Sequence, residues 1–476
     1  MKEEYKTARI KKDKNFDGKF FFGVKTTGIF CRPSCPAPVA KEENVVYFHD
    51  VFEALDQFYR PCMRCRPDIL LDYYNGNASG SLTVQTALKM IYDGYLNFHS
   101  VTNLAGELEV SDRHLRKLFI ENLGVPPVKI ARYHRAMFAK KLLMFSQQSV
   151  TDIAFASGFG SIRQFNQVFK EIFGMTPSAV KKESTAPGGI DTTLLVSYNR
   201  PFNFSQIIEF MKIRAIKGVE IIDESSYART FRTKRSKGYF IVRDNPGKSA
   251  LELSILCDDI QCYMEIYNRV RRMFDLNTDF TRINEQFKSD YHLSRGMKDG
   301  HVPRLPVAFD CFEFCVRAVL GQQISVPAAS TLASRIAEKA ALKTGNGFPP
   351  GLDYYFPGPV AVAETSLEGI GITVGRQATI ANIARGIMDK TFSLNPNQSF
   401  ENFQKEFSAL KGIGEWTVNY VAMRGLGMVD SFPATDLGII KALEKNGKRP
   451  GRKEILKMAE KWRPYRAYAA LCLWNQ

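Results

Sequence analysis

Four cysteines near the amino terminus constrain this chain more than any other feature of its sequence. Three residues separate Cys31 from Cys35, and two separate Cys62 from Cys65. Two close pairs joined by a loop are typical of a tetrahedral zinc site, because four thiolates hold Zn²⁺ well at about 2.3 Å. The alternative is four unrelated buried or surface thiols. Because clustered cysteines in a reducing compartment serve metals or chemistry more often than disulfides, we predict one Zn²⁺ bound by all four.

The charge balance indicates a polyanionic partner. Lys and Arg total 65 against 49 Asp and Glu, which gives a net charge of +16. Nucleic acid and an anionic membrane both fit this charge, and a solvated basic face is the alternative that it leaves open. The sequence has no apolar run near the roughly 18 residues of a spanning helix, and residues 1–6 lack the apolar stretch of a secretory signal. We expect a cytoplasmic protein that binds nucleic acid and no membrane.

Length and composition indicate several globular domains. A chain of 476 residues that is 45% hydrophobic and 24% charged is not disordered, and it is too long for one domain of about 150 residues. Small polar residues at 75–80 and 185–189 have the composition of linkers. The predicted domains are 1–74, 81–184, 190–303 and 304–476. The expected fold is multidomain and predominantly α, with a small α/β domain, an all-α domain, an α+β sheet subdomain and an all-α C-terminal domain.

The residues around the cysteines carry a family resemblance. The strings at 26–35 and 60–65 resemble the N-terminal domain of the Ada family of bacterial methyl-damage response proteins. The resemblance implies that Cys31 accepts a methyl group from a methylphosphotriester in DNA, once per molecule. Zinc keeps a thiol deprotonated, and methylation of Cys31 would reduce the formal charge of the cluster from −2 to −1. Weaker repulsion of phosphate would then tighten DNA binding, so the repair event would act as a switch.

The middle segment is predicted to form two helix pairs. The second helix of the first pair is expected to begin at Ser111 or Asp112, and that of the second pair near Ser161, since these residues are good N-caps. A plain helical bundle with a polar face is the alternative. Side chains suited to reading base edges lie on these two helices, namely Arg113, Arg116, Arg163, Gln164, Asn166 and Gln167.

The second helix pair also carries a family resemblance. The strings at 153–160 and 174–177, together with Phe165 and Phe169, resemble the AraC-type double helix-turn-helix module, over about residues 81–182. This resemblance implies transcriptional activation, with promoter DNA and RNA polymerase as partners.

A glycine pair and an aspartate mark the C-terminal part. Gly412 and Gly414 precede a predicted helix, and glycines there let backbone N–H groups approach a phosphate. Together with Asp436 and the strings at 317–323 and 461–466, they resemble the helix-hairpin-helix DNA glycosylases of the AlkA type, from about residue 193 onward. The resemblance implies release of alkylated bases of the 3-methyladenine class, with Asp436 stabilising the cationic sugar. An N-cap or surface aspartate is the alternative for Asp436.

The resemblance to AlkA-type glycosylases also implies a base pocket, and this chain differs from the family at some of the positions around it. Related enzymes that also cut the strand place a lysine where this chain has Trp416, so we predict hydrolysis without lyase activity. Gln323 or Ile324 would replace a leucine wedge, and Leu437 stands where an aromatic residue is common. The implied base pocket consists of Phe210, Trp416, Tyr420 and Trp474, for which core packing is the alternative. The implied DNA contacts are Gly412, Gly414, Thr417 and Gln323, and the hairpin carbonyls are a candidate site for a monovalent cation.

The remaining cysteines carry no signature of a second methyl-acceptor site. The Pro-Cys-His-Arg signature of a guanine-O6 methyltransferase is absent from the sequence. Cys311 and Cys315 lie four apart in an apolar stretch, which predicts that they pack in a helical core.

The sequence favours one function and leaves two alternatives. The preferred hypothesis is a bacterial, nucleoid-associated protein that senses methylphosphotriesters, activates transcription and excises alkylated bases from double-stranded DNA. One alternative is a regulator whose glycosylase part binds damaged DNA without cleaving it. The other is a structural zinc and DNA-binding protein that transfers no methyl group.

Overall fold

The chain divides into two compact units. The computed structural model describes residues 2–57, 59–62, 65, 67, 82–182, 192–198, 200–278, 280–445 and 447–476. Residues 1–194 and 260–265 form the first unit, and residues 195–259 and 266–476 form the second. The predicted linkers at 75–80 and 185–189 lie outside the described residues, and the bounds of the four domains stay predictions. Every helix in the described ranges is too short or too polar to cross a lipid bilayer.

The first unit begins with a small sheet. Its strand order is β3-β1-β2-β4, and β4 runs parallel to β2 while the other pairs are antiparallel. Phe21, Phe30 and Phe48 point into one fully buried core because the strands alternate between their two faces. The elements are α1 (Lys2–Lys11), β1 (Phe21–Val24), β2 (Ile29–Cys31), β3 (Val45–Phe48), α2 (Val51–Asp56) and β4 (Arg60–Pro61).

Seven helices follow within the described residues 82–182 of the first unit. Their bounds are α3 (Leu82–Tyr92), α4 (Val101–Glu107), α5 (Asp112–Leu123), α6 (Pro127–Phe145), α7 (Val150–Ala156), α8 (Ile162–Phe173) and α9 (Pro177–Lys182). The Ser111 hydroxyl accepts the His114 N–H and caps α5, while Ser161 caps α8 in the same way, so both predicted starts are confirmed. Gly158 turns the chain between α7 and α8 at φ +82°, and a Cβ there would stand 2.4 Å from Asn97.

The second unit opens with a five-stranded sheet of order β5-β9-β8-β7-β6. The apolar runs at 193–197 and 238–242 lie within two of these strands, as expected for the α+β subdomain. Tyr227 pairs with Val242, and Phe240 pairs with Ile255, which sets the buried face of the sheet. The strands are β5 (Thr192–Ser197), β6 (Glu220–Ile222), β7 (Ser226–Arg232), β8 (Lys237–Asn245) and β9 (Ala250–Cys257).

The rest of the second unit is helical and contains two apolar cores. One core centres on Cys315, Ile336 and Ile380, and the other on Ile283 and Trp462. Cys315 is fully buried and Cys311 packs against the same core, so their predicted place in a helical core is confirmed. The helices are α10 (Phe204–Lys212), α11 (Tyr263–Met273), α12 (Phe280–Lys288), α13 (Tyr291–Ser294), α14 (Cys311–Leu320), α15 (Val326–Ala340), α16 (Pro359–Glu364), α17 (Val374–Met388), α18 (Phe400–Ser408), α19 (Glu415–Arg424), α20 (Leu437–Ala442), α21 (Arg452–Ala459) and α22 (Arg466–Trp474).

Candidate functional site

The four N-terminal cysteines form one cluster in the first unit. The Sγ atoms of Cys31, Cys35, Cys62 and Cys65 all lie within 4.8 Å of one another, and all four side chains are buried. The Cys62 N–H donates to the Phe30 carbonyl across the β2–β4 pair, which fixes the second cysteine pair beside the first. Tetrahedral bonds of about 2.3 Å would place the sulfurs about 3.8 Å apart, so Zn²⁺ fits after a small contraction of the cluster.

The thiols influence one another's ionisation. The hydrogen bond with Cys35 is the largest cause that raises the pKa of Cys31, and the same contact lowers the pKa of Cys35 to about 7. Four adjacent thiols cannot all become thiolates unless a cation balances their charge. The chemistry of the donor set therefore matches the predicted zinc.

Arg32 supplies positive charge beside the thiol cluster. Its Nη1 lies 3.5 Å from Asp17 Oδ2, and the same carboxylate accepts hydrogen bonds from the N–H and hydroxyl of Ser34. The Arg32 Nε is buried and has no hydrogen-bond partner among the described residues. The Nε–H of Arg32, the residue that follows Cys31 in the chain, therefore has no acceptor among the described residues.

The residues predicted to read DNA lie on exposed helix faces. Arg113 on α5 is exposed, whereas Arg116 is exposed but pairs with Asp112 at 2.6 Å on the same helix. The apolar residues of α8, among them Phe165 and Phe169, are fully buried and leave its polar face to solvent. Four exposed polar side chains occupy that face: Arg163, Gln164, Asn166 and Gln167.

Asp436 is held by four N–H groups. It is the N-cap of α20, where its Oδ1 accepts from the backbone of Gly438 at 2.9 Å and of Ile439 at 3.2 Å. The indole N–H of Trp474 also donates to Oδ1, and that of Trp416 donates to Oδ2, both at 2.8 Å. Oδ1 therefore has three donors, while Oδ2 has one and keeps a lone pair for another group. The N-cap alternative is correct for the local structure, and the indole contacts show that Asp436 also faces a cavity.

Four aromatic side chains line a cavity of about 870 Å³ together with Asp436, namely Phe314, Trp416, Tyr420 and Trp474. Trp416 stacks on Tyr420 with ring centroids 4.8 Å apart, and Trp474 meets the edge of Tyr420 at 6.1 Å. Tyr420 packs against one helical core and Trp474 against the other, so the cavity opens where the two cores meet. The volume is sufficient for a nucleobase.

Phe210 occupies a different place from the other predicted pocket residues. Its ring lies 3.7 Å from the Arg214 guanidinium carbon and 4.6 Å from that of Arg424. Arg214 and Arg424 line the cavity, and Phe210 packs against both of them. The ring that sequence reasoning assigned to a cationic base therefore already contacts two cations of the protein.

The Gln322 side chain contacts both the glycine hairpin at residues 412–414 and the wall of the cavity. Gly412 has φ +93°, and a Cβ there would stand 2.0 Å from the Thr379 hydroxyl, so only glycine fits. The Gln322 amide donates to the Gly412 carbonyl at 3.2 Å and to the Thr417 hydroxyl at 3.0 Å. Gly414 is the N-cap of α19 and lines the cavity together with Thr417. The monovalent cation at the hairpin carbonyls stays a prediction.

The two departures from the family lie at the cavity mouth. Gln323 is exposed with φ +57°, and both Gln323 and Ile324 border the cavity. Leu437 borders it as well and is 57% exposed although it is apolar. Ile324 is half-buried and also packs against a helical core.

The sequence reasoning missed the arginines of the cavity. Arg214, Arg317 and Arg424 line it. Arg424 follows Tyr420 by four residues on α19, whereas Arg214 lies just beyond the end of α10. The i,i+4 spacing could have identified Arg424, because it places that side chain and Tyr420 on one helix face.

Comparisons with known proteins identify the family of the chain. The metal binding domain of Ada matches residues 4–68, a helix-turn-helix domain matches residues 104–183, and the AlkA N-terminal domain matches residues 193–310. A bifunctional transcriptional activator/DNA repair enzyme AlkA of Mycobacterium tuberculosis is 33% identical over 98% of this chain and 94% of its own length. The chain belongs to this AlkA family of bifunctional activator and repair enzymes.

Family membership assigns a general role to the thiol cluster and to the helix-turn-helix domain. An AlkA-family chain with an Ada metal-binding domain and four gathered thiols binds one Zn²⁺, and its helix-turn-helix domain makes it a DNA-binding protein. DNA-3-methyladenine glycosylase 2 of Escherichia coli is 27% identical over 59% of this chain and 95% of its own length. A 3-methyladenine DNA-glycosylase structure from Archaeoglobus fulgidus shares the fold, with TM-score 0.50 and 18% identity over 59% of this chain and 96% of its own.

Proposed function

We propose that this AlkA-family protein repairs alkylated DNA by two reactions and couples one of them to transcription. The second unit would hydrolyse the glycosidic bond of alkylated bases of the 3-methyladenine class, with Asp436 as the catalytic carboxylate. The first unit would accept a methyl group from DNA methylphosphotriesters at Cys31. The observation that carries the glycosylase proposal is the Asp436 carboxylate, which two indole N–H groups hold at the wall of an aromatic cavity.

The excision reaction needs few groups. When a base that carries a positive charge leaves, the electron pair of its bond to C1′ neutralises it, and a cationic sugar remains. Oδ2 of Asp436 is the oxygen with a free lone pair, so it can stabilise C1′ and accept a proton from the attacking water. Trp416 offers no amine to form a Schiff base, which supports hydrolysis without strand cleavage.

The methyl transfer is a direct displacement. Zinc supplies thiolates at neutral pH. The Cys31 sulfur would attack the methyl carbon, a thioether would form, and the carbon–oxygen bond would break with its electron pair left on the phosphate. Arg32 lies beside Cys31 with an unsatisfied N–H, and a phosphate oxygen is a suitable acceptor for it.

The transcriptional role rests on the helix-turn-helix domain. The exposed polar face of α8 has the residue types that read base edges, and α5 presents Arg113. We infer that these helices bind promoter DNA, that methylated Cys31 strengthens that binding, and that RNA polymerase is the activated partner. A protein with this role would work in the bacterial cytoplasm at the nucleoid.

The glycosylase proposal is tested by base release from methylated DNA. Wild-type protein should release 3-methyladenine, and Asp436→Asn should reduce the rate by roughly 10²–10³-fold, because it removes the charge that stabilises the sugar cation. Asp310→Asn is the matched control, since Asp310 also caps a helix of the second unit but does not line the cavity. Absence of release by wild type would contradict the proposal and leave the regulator that only binds damage.

The methyl-acceptor proposal is tested by mass spectrometry. After incubation with methylphosphotriester DNA, one added methyl group should be found on Cys31 and none on Cys35, Cys62 or Cys65. Cys257 is the internal control, because it lies outside the cluster. A methyl group on a different cysteine, or none, would refute the assignment.

A further inference from the structure

A strongly basic segment follows the short helix that Asp436 caps. Residues 441–453, the basic segment, contain six basic side chains and one acidic side chain. All six basic side chains are exposed: Lys441, Lys445, Lys448, Arg449, Arg452 and Lys453. The reaction proposed for Asp436 uses none of them, so this concentration of charge requires another explanation.

The basic segment is anchored to the folded unit at both ends. Leu443, near its start, is 3% exposed, and Ile455, just beyond its end, is fully buried in the same apolar core. Between them, Lys445 and Lys448 exchange both of their backbone hydrogen bonds across a turn, at 3.1 and 2.9 Å. The lysines are therefore presented from a defined turn.

The basic side chains have few counter-ions. Arg449 pairs with Glu444 at 3.0 Å. Four lysines have no carboxylate within 4.0 Å among the described residues, namely Lys441, Lys445, Lys448 and Lys453. Lys445 and Lys448 also oppose each other across the bridge, and like charges in that arrangement are destabilising. A polyanion bound to this surface would offset the repulsion.

Arg452 joins the basic segment to the glycine hairpin. Its Nε and Nη2 donate to the two carboxylate oxygens of Glu415 at 2.8–3.0 Å. Glu415 is the first residue of α19 and directly follows Gly414, which lines the cavity. The six residues of α20 separate Asp436 from the rest of the basic segment, a length of about 9 Å. The segment is thus connected to two sides of the same cavity.

The ion pair leaves the start of α19 open to an outside anion. The first N–H groups of a helix attract negative charge, so a carboxylate at this position competes with phosphate and repels it. Both oxygens of Glu415 are occupied by Arg452, which balances the charge. The N-cap of α19 is Gly414, which has no side chain to accept these N–H groups.

We propose that the basic segment is a phosphate-binding surface continuous with the hairpin, and that Arg452 connects the two by neutralising Glu415. The inference rests on the proposed glycosylase function, because that function makes duplex DNA the polyanion at this cavity. The lysines would bind the DNA backbone on one side of the cavity while the hairpin binds it on the other. The lysines and Arg452 are binding and positioning residues, and none of them contacts the reacting atoms.

The experiment measures how salt affects the productive complex of the full chain. Single-turnover release of 3-methyladenine from methylated duplex DNA is followed at increasing protein and salt concentrations, which gives the half-maximal protein concentration and its salt dependence. Binding of the same duplex by fluorescence anisotropy gives the salt dependence independently of base release.

The variants change charge at matched positions. The test variant combines Lys445→Gln, Lys448→Gln and Lys453→Gln. The control variant removes three exposed lysines from other elements of the second unit, namely Lys234→Gln, Lys339→Gln and Lys390→Gln. Arg452→Gln is compared with the double variant Arg452→Gln, Glu415→Gln, and the melting temperature shows whether each variant is folded.

We expect the test variant to raise the half-maximal concentration roughly tenfold and to reduce the salt slope by about 2–3, because each lost phosphate contact reduces it by about 0.9. The control variant should leave the slope unchanged. Arg452→Gln should raise the half-maximal concentration about fivefold, since Glu415 then repels phosphate. The double variant should return it to within about twofold of wild type.

Three results would overturn the inference. An unchanged salt slope in the test variant would make the segment a solvated basic face and leave the proposed function intact. Equal slope changes in the test and control variants would assign the effect to net charge alone. Equal losses in Arg452→Gln and the double variant would show that Arg452 does not act through Glu415. If wild type releases no base, the proposed function fails, and the slopes from anisotropy decide the inference.

Discussion

The thiol cluster of the first unit and the carboxylate site of the second are assembled in opposite ways. Cys31, Cys35, Cys62 and Cys65 come from one short stretch of chain on two paired strands and the loops that follow them. The carboxylate site gathers residues from Arg214 to Trp474, which lie more than two hundred positions apart. A local site can be recognised from spacing alone, whereas a dispersed site depends on the packing of a whole unit.

The two sites also handle charge differently. The cluster concentrates negative charge and depends on a metal cation to balance it. Asp436 is a single anion stabilised by N–H groups, and the nearby excess charge is positive. Removal of the metal should therefore have its largest effect on the thiol cluster. Substitution of single side chains should have its largest effect on the carboxylate site.

Metal removal should give the largest difference between the units. We expect a chelator to unfold the small sheet around the cluster, since structural zinc contributes on the order of 10 kcal/mol to folding. Limited proteolysis within residues 2–67 and base release are measured on the same sample. Base release should stay within about twofold, and added Zn²⁺ should restore protease resistance. A parallel loss of base release would show that the second site depends on the first.

Breaking the buried ion network should destabilise only the second unit. Glu313 and Arg229 have side chains that are 4% exposed and lie 2.5 Å apart, and Glu313 also pairs with Arg317. Glu313→Gln leaves both arginines short of a counter-ion, so the free energy of unfolding should fall by about 3–5 kcal/mol in urea titrations. The exposed Glu338→Gln is the control. A loss below about 1 kcal/mol would mean that Glu220 compensates alone.

Removing one indole donor should have a moderate effect on catalysis. Trp474→Phe keeps a ring but deletes the N–H that donates to Oδ1 of Asp436. Because Oδ1 retains two backbone donors, we expect base release to slow by about tenfold with little change in melting temperature. Tyr291→Phe, at an exposed ring, is the control. An unchanged rate would show that the indole positions nothing in the reaction.

Removing a helix cap should give the smallest effect. Ser161→Ala deletes the hydroxyl that accepts the Gln164 N–H at the start of α8, which should cost about 1 kcal/mol of local stability. Hydrogen exchange of the α8 amides measures it. Ser161→Asn should restore the protection, because asparagine also caps helices. Equal losses in both variants would assign another role to the hydroxyl.

Much of the fold was predictable because its signals are local. The starts of α5 and α8, the strands β5 and β8 and the core position of Cys315 all follow from caps or from apolar patterns. The resemblance to the Ada, AraC-type and AlkA families agrees with the three matching family models. The roles of individual site residues remain predictions for the experiments above.

The surroundings of Phe210 differ from those that the sequence predicts. Its ring contacts Arg214 and Arg424 instead of facing the base pocket. The aromatic residues of the pocket suggested a cleft for cations, but the Phe210 ring already contacts the guanidinium groups of Arg214, four residues later in the chain, and of Arg424 on α19. No spacing rule relates α10 to α19, because they are about two hundred residues apart in the chain. The contact between Phe210 and Arg424 was therefore hidden from the sequence.

The sequence by itself determined the metal-binding thiols, the helix caps and the hairpin glycines, because each depends on neighbours within a few residues or on one backbone conformation. Only the tertiary structure decided that two indoles orient Asp436 and that Arg424 contacts the Phe210 ring. Those contacts form where two separate cores meet, and the energy of burying side chains from distant segments, rather than any local preference, sets their geometry.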